Sequence, residues 1–270
     1  MTGAHWGKRP LRVAVIASSV GYYVRPPERN GPSRPYPDVL EELLRSSGVH
    51  AEVVNHSAWF LMVHQAFKNI QGMVVPDGAD VAVLNFGVLE AESTLLPTAL
   101  VKSVYNWSPT THGVWSRLRY LTLRPVHRFH EGLAPSIMKR FPSFHRLSPR
   151  RFEEELARTV DWLRKERNAL VLVLNINPVG DNVERKLPGT RGSVAVYNAI
   201  IERVVQSQDD GLTRLIDVNS LVARGNGDDR LVADGIHFTA EGHRQVASLV
   251  QREIQAWLGR DTTAEASASP

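Results

Sequence analysis

The sequence predicts an α/β protein, a three-layer α/β/α sandwich built on a five-stranded parallel sheet. Short, continuous apolar runs alternate along the chain with stretches whose apolar residues recur at helical spacing. The runs lack polar alternation, which is typical of strands buried on both faces. Strands that alternate with helices in this way form parallel sheets with right-handed crossovers. The chain has 270 residues and is 43% hydrophobic, which is enough for one large core.

Five strands are predicted in chain order, at residues 11–17, 51–54, 80–86, 169–176 and 215–218. The first strand is followed by a Gly/Pro-rich loop over residues 21–37, and then by a helix that ends at Gly48. Ser57 is predicted to cap a second helix, which carries Trp59 and Phe60 on its buried face together with Val63, Phe67 and Ile70.

Helix-start signals mark the second half of the chain. Ser148 followed by Pro149 is a capping side chain before a proline at the first helical position. Residues 194–205 form a further predicted helix, and Thr239 caps the last one. Residues 1–260 are therefore interpreted as a single domain, and the Thr/Ala/Ser-rich residues 261–270 as a disordered tail.

One segment, at about residues 102–151, breaks the alternation of strands and helices. It holds ten Lys/Arg against one acid, Glu131, and seven aromatic residues. Its net charge is +9, whereas the other 220 residues carry −5. A connection of this length is usually functional. We interpret it as a basic, aromatic cap inserted over the active site, with a solvated basic face as the alternative.

Composition excludes several classes of protein. With no cysteine, the chain has no disulfides, no Cys-ligated metal and no thiol nucleophile. His127 and His130 are three residues apart but lack a carboxylate at suitable spacing, so no metal and no other cofactor is expected. No apolar run reaches the length of a membrane span, and a net charge of +4 is too small to indicate nucleic acid. The first ten residues lack the apolar stretch of a signal peptide, so a cytoplasmic location is expected.

Candidate functional residues follow the predicted strands, because ligands bind at the carboxyl ends of a parallel sheet. Ser18 and Ser19 follow the first strand, and Gly87 follows the third. Asp234 and His237, three residues apart, precede the last helix. A carboxylate beside an imidazole can fix the histidine tautomer, and the histidine can then deprotonate a serine. By itself the Asp-x-x-His spacing is more typical of an ordinary surface turn.

In this order, the motifs resemble those of the SGNH/GDSL hydrolase superfamily over residues 11–258. Residues 17–19 (Ala-Ser-Ser) match its Gly-Asp-Ser block, and residues 234–237 (Asp-Gly-Ile-His) match its terminal Asp-x-x-His block. Three departures stand out. Ser18 replaces the family's Asp, and residues 87–90 (Gly-Val-Leu-Glu) replace Gly-x-Asn-Asp. The side-chain donor of the family's oxyanion hole is thus missing at Leu89. Residues 55–57 (Asn-His-Ser) follow the second strand, where the family has its oxyanion Gly, so Gly87 is the nearby glycine offered for that role.

The resemblance implies a flavodoxin-like SGNH hydrolase fold and an ester hydrolase. Ser19 would be the nucleophile, His237 the base and Asp234 its orienting partner, with the backbone N–H groups of Ser19 and Gly87 as the oxyanion hole. Six residues are candidates for substrate binding: Ser18, Tyr22, Arg25, Asn85, Leu89 and Asn177. The basic segment points to a small acyl ester with an anionic group. An acyltransferase on the same scaffold and a non-catalytic module for an anionic ligand are the alternatives, and the oligomeric state stays open.

Overall fold

The structure, a computed structural model, describes residues 9–22, 34–95, 125, 132–140, 144–224 and 230–268. Its main sheet has five parallel strands, which are β1 (Leu11–Ala17), β2 (Ala51–Asn55), β3 (Val81–Asn85), β6 (Leu170–Leu174) and β7 (Thr213–Ile216). They lie in the order β2-β1-β3-β6-β7. The sheet confirms the predicted α/β architecture, with strand ends moved by two residues at most.

The apolar strands form this sheet because their side chains are buried on both faces. Every residue of β3 and β6 is buried. In the register of the sheet, Val13 of β1 lies opposite Val53 on one side and Val81 on the other. The continuous apolar runs thus have the environment that they require, between two layers of helices.

The described helices form a layer on each face of the sheet. They are α1 (Tyr36–Ser46), α2 (Val63–Asp77), α3 (Val88–Ala91), α4 (Ala134–Met138), α5 (Pro149–Arg167), α6 (Asp181–Lys186), α7 (Thr190–Gln206), α8 (Val218–Arg224) and α9 (Ala240–Ala268). Helix α1 packs against α9, while α2 packs against α5 and α5 against α7. Right-handed crossovers place the helices on two faces of the sheet, because the chain crosses the sheet in one direction from β1 to β2 and in the opposite direction from β2 to β3. In the described part of the chain, no helix is both long and apolar enough to cross a bilayer.

Both strong helix-start signals are confirmed. The Ser148 hydroxyl accepts a hydrogen bond from the Arg151 N–H at the start of α5 (3.4 Å). Thr239 Oγ1 accepts one from the Gly242 N–H at the start of α9 (3.1 Å). Since α5 begins at Pro149, the last residues assigned to the insertion belong to this helix instead.

The predicted start of α2 is wrong. The helix begins at Val63, so Ser57 does not cap it, and Trp59 and Phe60 lie in the turn before it. Phe60 has a left-handed backbone conformation (φ 57°), which a right-handed helix cannot include. The Ser57 N–H instead donates to the Asn55 side chain (3.0 Å), which makes a local turn.

Helix α9 continues through Ala268, into the segment 261–270 for which the sequence predicted a disordered tail. Extending a formed helix costs far less than starting one, and alanines at 264, 266 and 268 favour the extension.

A two-stranded antiparallel ribbon, which the sequence did not predict, lies at the base of the insertion. It pairs β4 (Ser93–Thr94) with β5 (Phe144–His145). Between these strands the structure describes residue 95, residue 125 and residues 132–140, which include α4. Outside the described residues lie 96–124, 126–131 and 141–143, with His127 and His130 of the predicted cap among them.

Candidate functional site

The site lies where the chain reverses its direction across the sheet. From β1 the chain moves outward to β2 and then returns to β3 on the other side of β1. Ligands bind at such a point in open α/β sheets, because the adjacent loops diverge and leave a crevice. Ala17 and Asn85, the last residues of β1 and β3, are partners in the sheet. The residues that follow them therefore face each other across this crevice.

Ser19 is held by a short 3-10 helix, Ser19–Gly21, directly after β1. The Tyr22 N–H donates to the Ser19 carbonyl (3.2 Å), and the Asn55 side chain donates to the Gly21 carbonyl (3.2 Å). A side chain at Gly21 would lie 2.1 Å from Ser57 Oγ, so this close approach to the next loop requires glycine.

The segment Asp234–His237 is a turn that its own carboxylate organises. Asp234 Oδ1 accepts hydrogen bonds from the Ile236 N–H (3.0 Å) and the His237 N–H (2.7 Å). Its other oxygen, Oδ2, is 2.9 Å from His237 Nδ1. Gly235 makes the turn possible with a positive φ of 78°. One side chain thus fixes both the backbone and the ring of the histidine.

The imidazole links Asp234 to Ser19. His237 Nε2 lies 2.9 Å from Ser19 Oγ, and the two residues are 218 positions apart in the sequence. With Nδ1–H donating to the carboxylate, the network assigns the tautomer whose Nε2 can accept the serine proton. The structure therefore brings Ser19, His237 and Asp234 into one chain of hydrogen bonds.

The ionisation of Asp234 suits this arrangement. Burial by itself would raise the pKa of Asp234, but hydrogen bonds from the His237 side chain and backbone outweigh burial and lower that pKa below its ordinary value. The carboxylate is therefore ionised at neutral pH and stabilises positive charge on the ring.

A cavity of about 200 Å³ opens beside Ser19 and His237. Its other described lining residues are Ser18, Trp59, Phe60, Val88, Leu89, Glu92, Arg146, Leu187 and Ile236. The Trp59 ring is nearly parallel to the His237 ring (8° between planes, centroids 6.2 Å apart) and is 45% exposed. The cavity is smaller than the usual pocket for a drug-sized ligand, so it fits a short acyl group.

Of the candidate substrate-binding residues, the structure brings Ser18 and Leu89 into the cavity. Tyr22 contacts Trp59 edge-on (centroids 6.5 Å apart) without joining the described lining, and burial raises the pKa of its hydroxyl. Asn85 and Asn177 are buried but are not among the described lining residues, and Asn177 donates to the Pro178 carbonyl (3.2 Å). Arg25 lies outside the described residues.

The assignment of Gly87 to an oxyanion hole needs a correction. The Gly87 N–H donates to Glu90 Oε2 (2.9 Å), while the Val63 N–H donates to Glu90 Oε1 (2.8 Å). The fully buried Glu90 side chain thus accepts the hydrogen bond of the Gly87 N–H, which was expected to face the substrate. Gly87 itself is required by its φ of 117° and by Ile176, whose Cδ1 would lie 2.6 Å from an added Cβ.

A second loop locks the Asp234–His237 turn from behind. The Gly180 N–H donates to the Gly235 carbonyl (3.2 Å), and the Asn182 side chain donates to the Asp234 carbonyl (2.9 Å). Added Cβ atoms at Gly180 or Gly235 would lie 2.9 or 2.8 Å from backbone atoms of the other glycine. The two loops therefore fit together only without side chains at these positions.

Several lining residues were missed by the sequence analysis. Glu92 and Arg146 make a buried ion pair in the cavity, and Phe60 lies beneath the Arg146 guanidinium (5.3 Å from ring centroid to Cζ). Arg146 belongs to the basic segment that was assigned to the cap. The positive charge of that segment was the feature of the sequence that could have identified this residue. Within the described part of the chain, no group of His, Asp and Glu residues is arranged to hold a metal ion.

Comparisons of the structure with solved structures find hydrolases of one fold. A lipase/acylhydrolase from Enterococcus faecalis is 14% identical (TM-score 0.60), and the match covers 91% of this chain and 95% of that one. An acetyl xylan esterase, AlAXEase, is 16% identical (TM-score 0.55), with coverage of 90% and 99%. A lipolytic protein of the G-D-S-L family from Desulfitobacterium hafniense is 10% identical (TM-score 0.54), with coverage of 90% and 98%. The chain has the fold of SGNH/GDSL lipases, acylhydrolases and esterases.

No family model matches the sequence, and no curated protein matches it either. The likeness is therefore one of structure, and the chain is a divergent example of this fold.

Proposed function

We propose that the protein is a serine hydrolase that cleaves a carboxylic ester through an acyl-enzyme. The observation that carries this proposal is the continuous chain of hydrogen bonds from Ser19 through His237 to Asp234, with 2.9 Å at each step. The esterases and acylhydrolases that share the fold support the same reaction class.

In the proposed mechanism, Ser19 Oγ attacks the ester carbonyl carbon while His237 Nε2 takes the hydroxyl proton. The imidazolium is stabilised by Asp234 and returns the proton to the leaving alcohol, which breaks the ester C–O bond. Water then attacks the acyl-Ser19 carbonyl with His237 as base, and the carboxylic acid leaves as Ser19 regains its proton. The chemistry needs no cofactor.

The backbone N–H of Ser19 is the oxyanion donor in this proposal. Gly87 takes no part, because its N–H donates to Glu90. Since one missing oxyanion donor typically costs about 10²–10³ in rate, we expect slower turnover than in enzymes with a complete oxyanion hole.

The test replaces the nucleophile and an exposed serine in parallel. Ser19→Ala is expected to lower kcat for p-nitrophenyl acetate by at least about 10³-fold, because it removes the attacking atom. Ser46→Ala, on the exposed face of α1, is the matched control and should retain wild-type kinetics. A fluorophosphonate should add its mass to the peptide that contains Ser19 in the wild type only.

Two results would contradict the assignment. If Ser19→Ala stayed active while Ser18→Ala lost activity, the nucleophile would be the neighbouring serine. If neither esters nor the fluorophosphonate reacted with the wild type, the alternative of a non-catalytic binding module would be favoured.

An acyltransferase is the second candidate, favoured by the apolar surroundings of Ser19. Leu89 occupies the place of a polar oxyanion residue, and Trp59 covers His237. Such a site can shield an acyl-enzyme from water. Product analysis with added alcohols separates the two reactions, because a transferase forms a new ester faster than free acid.

A further inference from the structure

The cavity beside Ser19 contains a pair of opposite charges that the proposed mechanism does not use. Arg146 Nη2 donates to Glu92 Oε2, and both side chains line the cavity. Their exposed fractions are only 6% for Arg146 and 12% for Glu92. Buried ion pairs contribute little net stability, because the loss of hydration offsets their attraction. Stability alone therefore gives no reason to keep this pair in an apolar cavity.

The pair is attached to the cavity wall at two places. Ser93 of β4 is the cross-strand partner of His145 of β5, so Glu92 and Arg146 flank the same end of the ribbon. The Arg146 guanidinium also lies over the Phe60 ring, 5.3 Å from its centroid. A planar group fixed by a carboxylate and an aromatic face needs little further ordering before it binds a ligand.

The charge of the cavity indicates which ligands the pair accepts. Glu92 balances Arg146, and none of the other described lining residues is a Lys, Arg, Asp or Glu. A substrate carboxylate would thus add an unbalanced negative charge in a buried site, at a large cost in hydration. An uncharged oxygen avoids this cost and can still accept a strong hydrogen bond from a guanidinium.

We propose that Arg146 and Glu92 form a polar subsite for an uncharged hydrogen-bonding group, such as a hydroxyl or ether oxygen, on the short acyl chain carried by Ser19. This inference rests on the proposed ester hydrolase. Within it, Val88, Leu89 and Ile236 contact the hydrocarbon part of the acyl chain. A subsite of this kind favours an uncharged substrate, whereas the basic segment pointed to an anionic one.

The test compares two acyl groups of equal size, methoxyacetyl and butyryl, as p-nitrophenyl esters. We expect the ratio of kcat/KM for methoxyacetate to that for butyrate to fall by about tenfold or more in the double variant Arg146→Met with Glu92→Leu. Comparing this ratio between the variant and the wild type cancels any loss of activity that is common to both esters. It also cancels the difference between the intrinsic reactivities of the esters. The matched control, Arg164→Met with Asp210→Leu, removes a comparable ion pair at the opposite edge of the sheet and should keep the wild-type ratio.

A single variant gives an independent readout if the double variant does not fold. Glu92→Gln keeps the shape of the side chain but leaves Arg146 unbalanced. It should raise kcat/KM for p-nitrophenyl hemisuccinate relative to methoxyacetate by about tenfold, since an anionic acyl group then restores neutrality.

The outcomes separate this inference from the proposed function. An unchanged methoxyacetate-to-butyrate ratio, with hydrolysis still dependent on Ser19, would overturn the subsite alone. The subsite would also be overturned if the wild type preferred the hemisuccinate to the methoxyacetate and Arg146→Met removed that preference. Absence of Ser19-dependent hydrolysis for all three esters would overturn both proposals.

Discussion

At the residue scale, the two carboxylate oxygens of Asp234 accept different hydrogen bonds and have different effects. Oδ1 accepts the backbone N–H groups that shape the turn, and Oδ2 accepts the ring proton of His237. Folding lowers the pKa of this carboxyl, so the stability it contributes is present above the unfolded value of about 3.9 and is lost as pH falls through the lower folded value.

Asp234→Asn should lower kcat for p-nitrophenyl acetate by about 10²–10⁴-fold, because an amide favours the wrong histidine tautomer. Steady-state kinetics and thermal unfolding measured together separate this effect from misfolding. Asp161→Asn, on α5 and remote from the site, is the control and should keep wild-type kcat. Wild-type kcat in Asp234→Asn would contradict the assigned role.

A second residue, Glu90, is buried with a raised pKa. Burial raises the pKa of this carboxyl, although hydrogen bonds from the Val63 and Gly87 N–H groups partly oppose the shift. The folded state therefore binds the proton more tightly than the unfolded state, for which the pKa is about 4.3. Stability from this group falls as pH rises from that value through the raised folded value.

The fall in stability with rising pH should appear when the wild type is compared with Glu90→Gln. As pH rises from 4 to 7, the wild type should lose unfolding free energy relative to the variant, because only the wild type must ionise a buried acid. Urea denaturation at each pH measures the difference. A difference that is constant with pH would contradict the raised pKa.

At the scale of elements, the position of the Asp234–His237 turn depends on how closely two loops approach. The Gly180 N–H donates to the Gly235 carbonyl, and the Asn182 side chain donates to the Asp234 carbonyl. Neither loop contains a regular strand, so this contact, rather than the sheet, determines where His237 lies.

Gly235→Ala should therefore reduce both stability and kcat, and Gly48→Ala is its matched control. Both glycines have positive φ, 78° at Gly235 and 85° at Gly48, so both variants bear a similar backbone cost of about 1 kcal/mol. An added Cβ at Gly48 meets nothing within 4 Å, whereas at Gly235 it lies 2.8 Å from the Gly180 nitrogen. We expect kcat to fall at least about tenfold in Gly235→Ala and to stay unchanged in Gly48→Ala. Equal effects of the two substitutions would show that only φ matters.

At the scale of the whole molecule, the sequence predicted the features that local pattern determines. Apolar runs identified the sheet, and Asp-x-x-His identified the turn, because neighbours in sequence create both. The turn at Phe60 was missed, since its left-handed backbone depends on the loop being attached to β1, where the Ala58 N–H donates to the Ala17 carbonyl. The Glu92–Arg146 pair joins residues 54 positions apart, and only the ribbon brings them together.

The insertion is proposed to be a cap added to a complete domain, and its removal tests this division. Thr94 and Phe144 are antiparallel partners, so an Asn-Gly turn can replace residues 95–143 and close the ribbon as a hairpin. The excision removes seven Lys/Arg and one Glu, which leaves a mildly acidic chain. Among the described residues of the excised segment, Met138 is buried, so we expect the free energy of unfolding to fall by about 2–5 kcal/mol.

The excised protein should still unfold cooperatively in urea, and its Ser19 should still react with a fluorophosphonate. The hydrogen bonds among Ser19, His237 and Asp234, and both faces of the sheet, are formed by residues outside the deleted segment. Selectivity among esters of different alcohols should weaken, because a cap would act on the part of the substrate that extends beyond the cavity. Non-cooperative unfolding after excision would instead make the insertion part of the core, and the chain would then be a single unit without a separable cap.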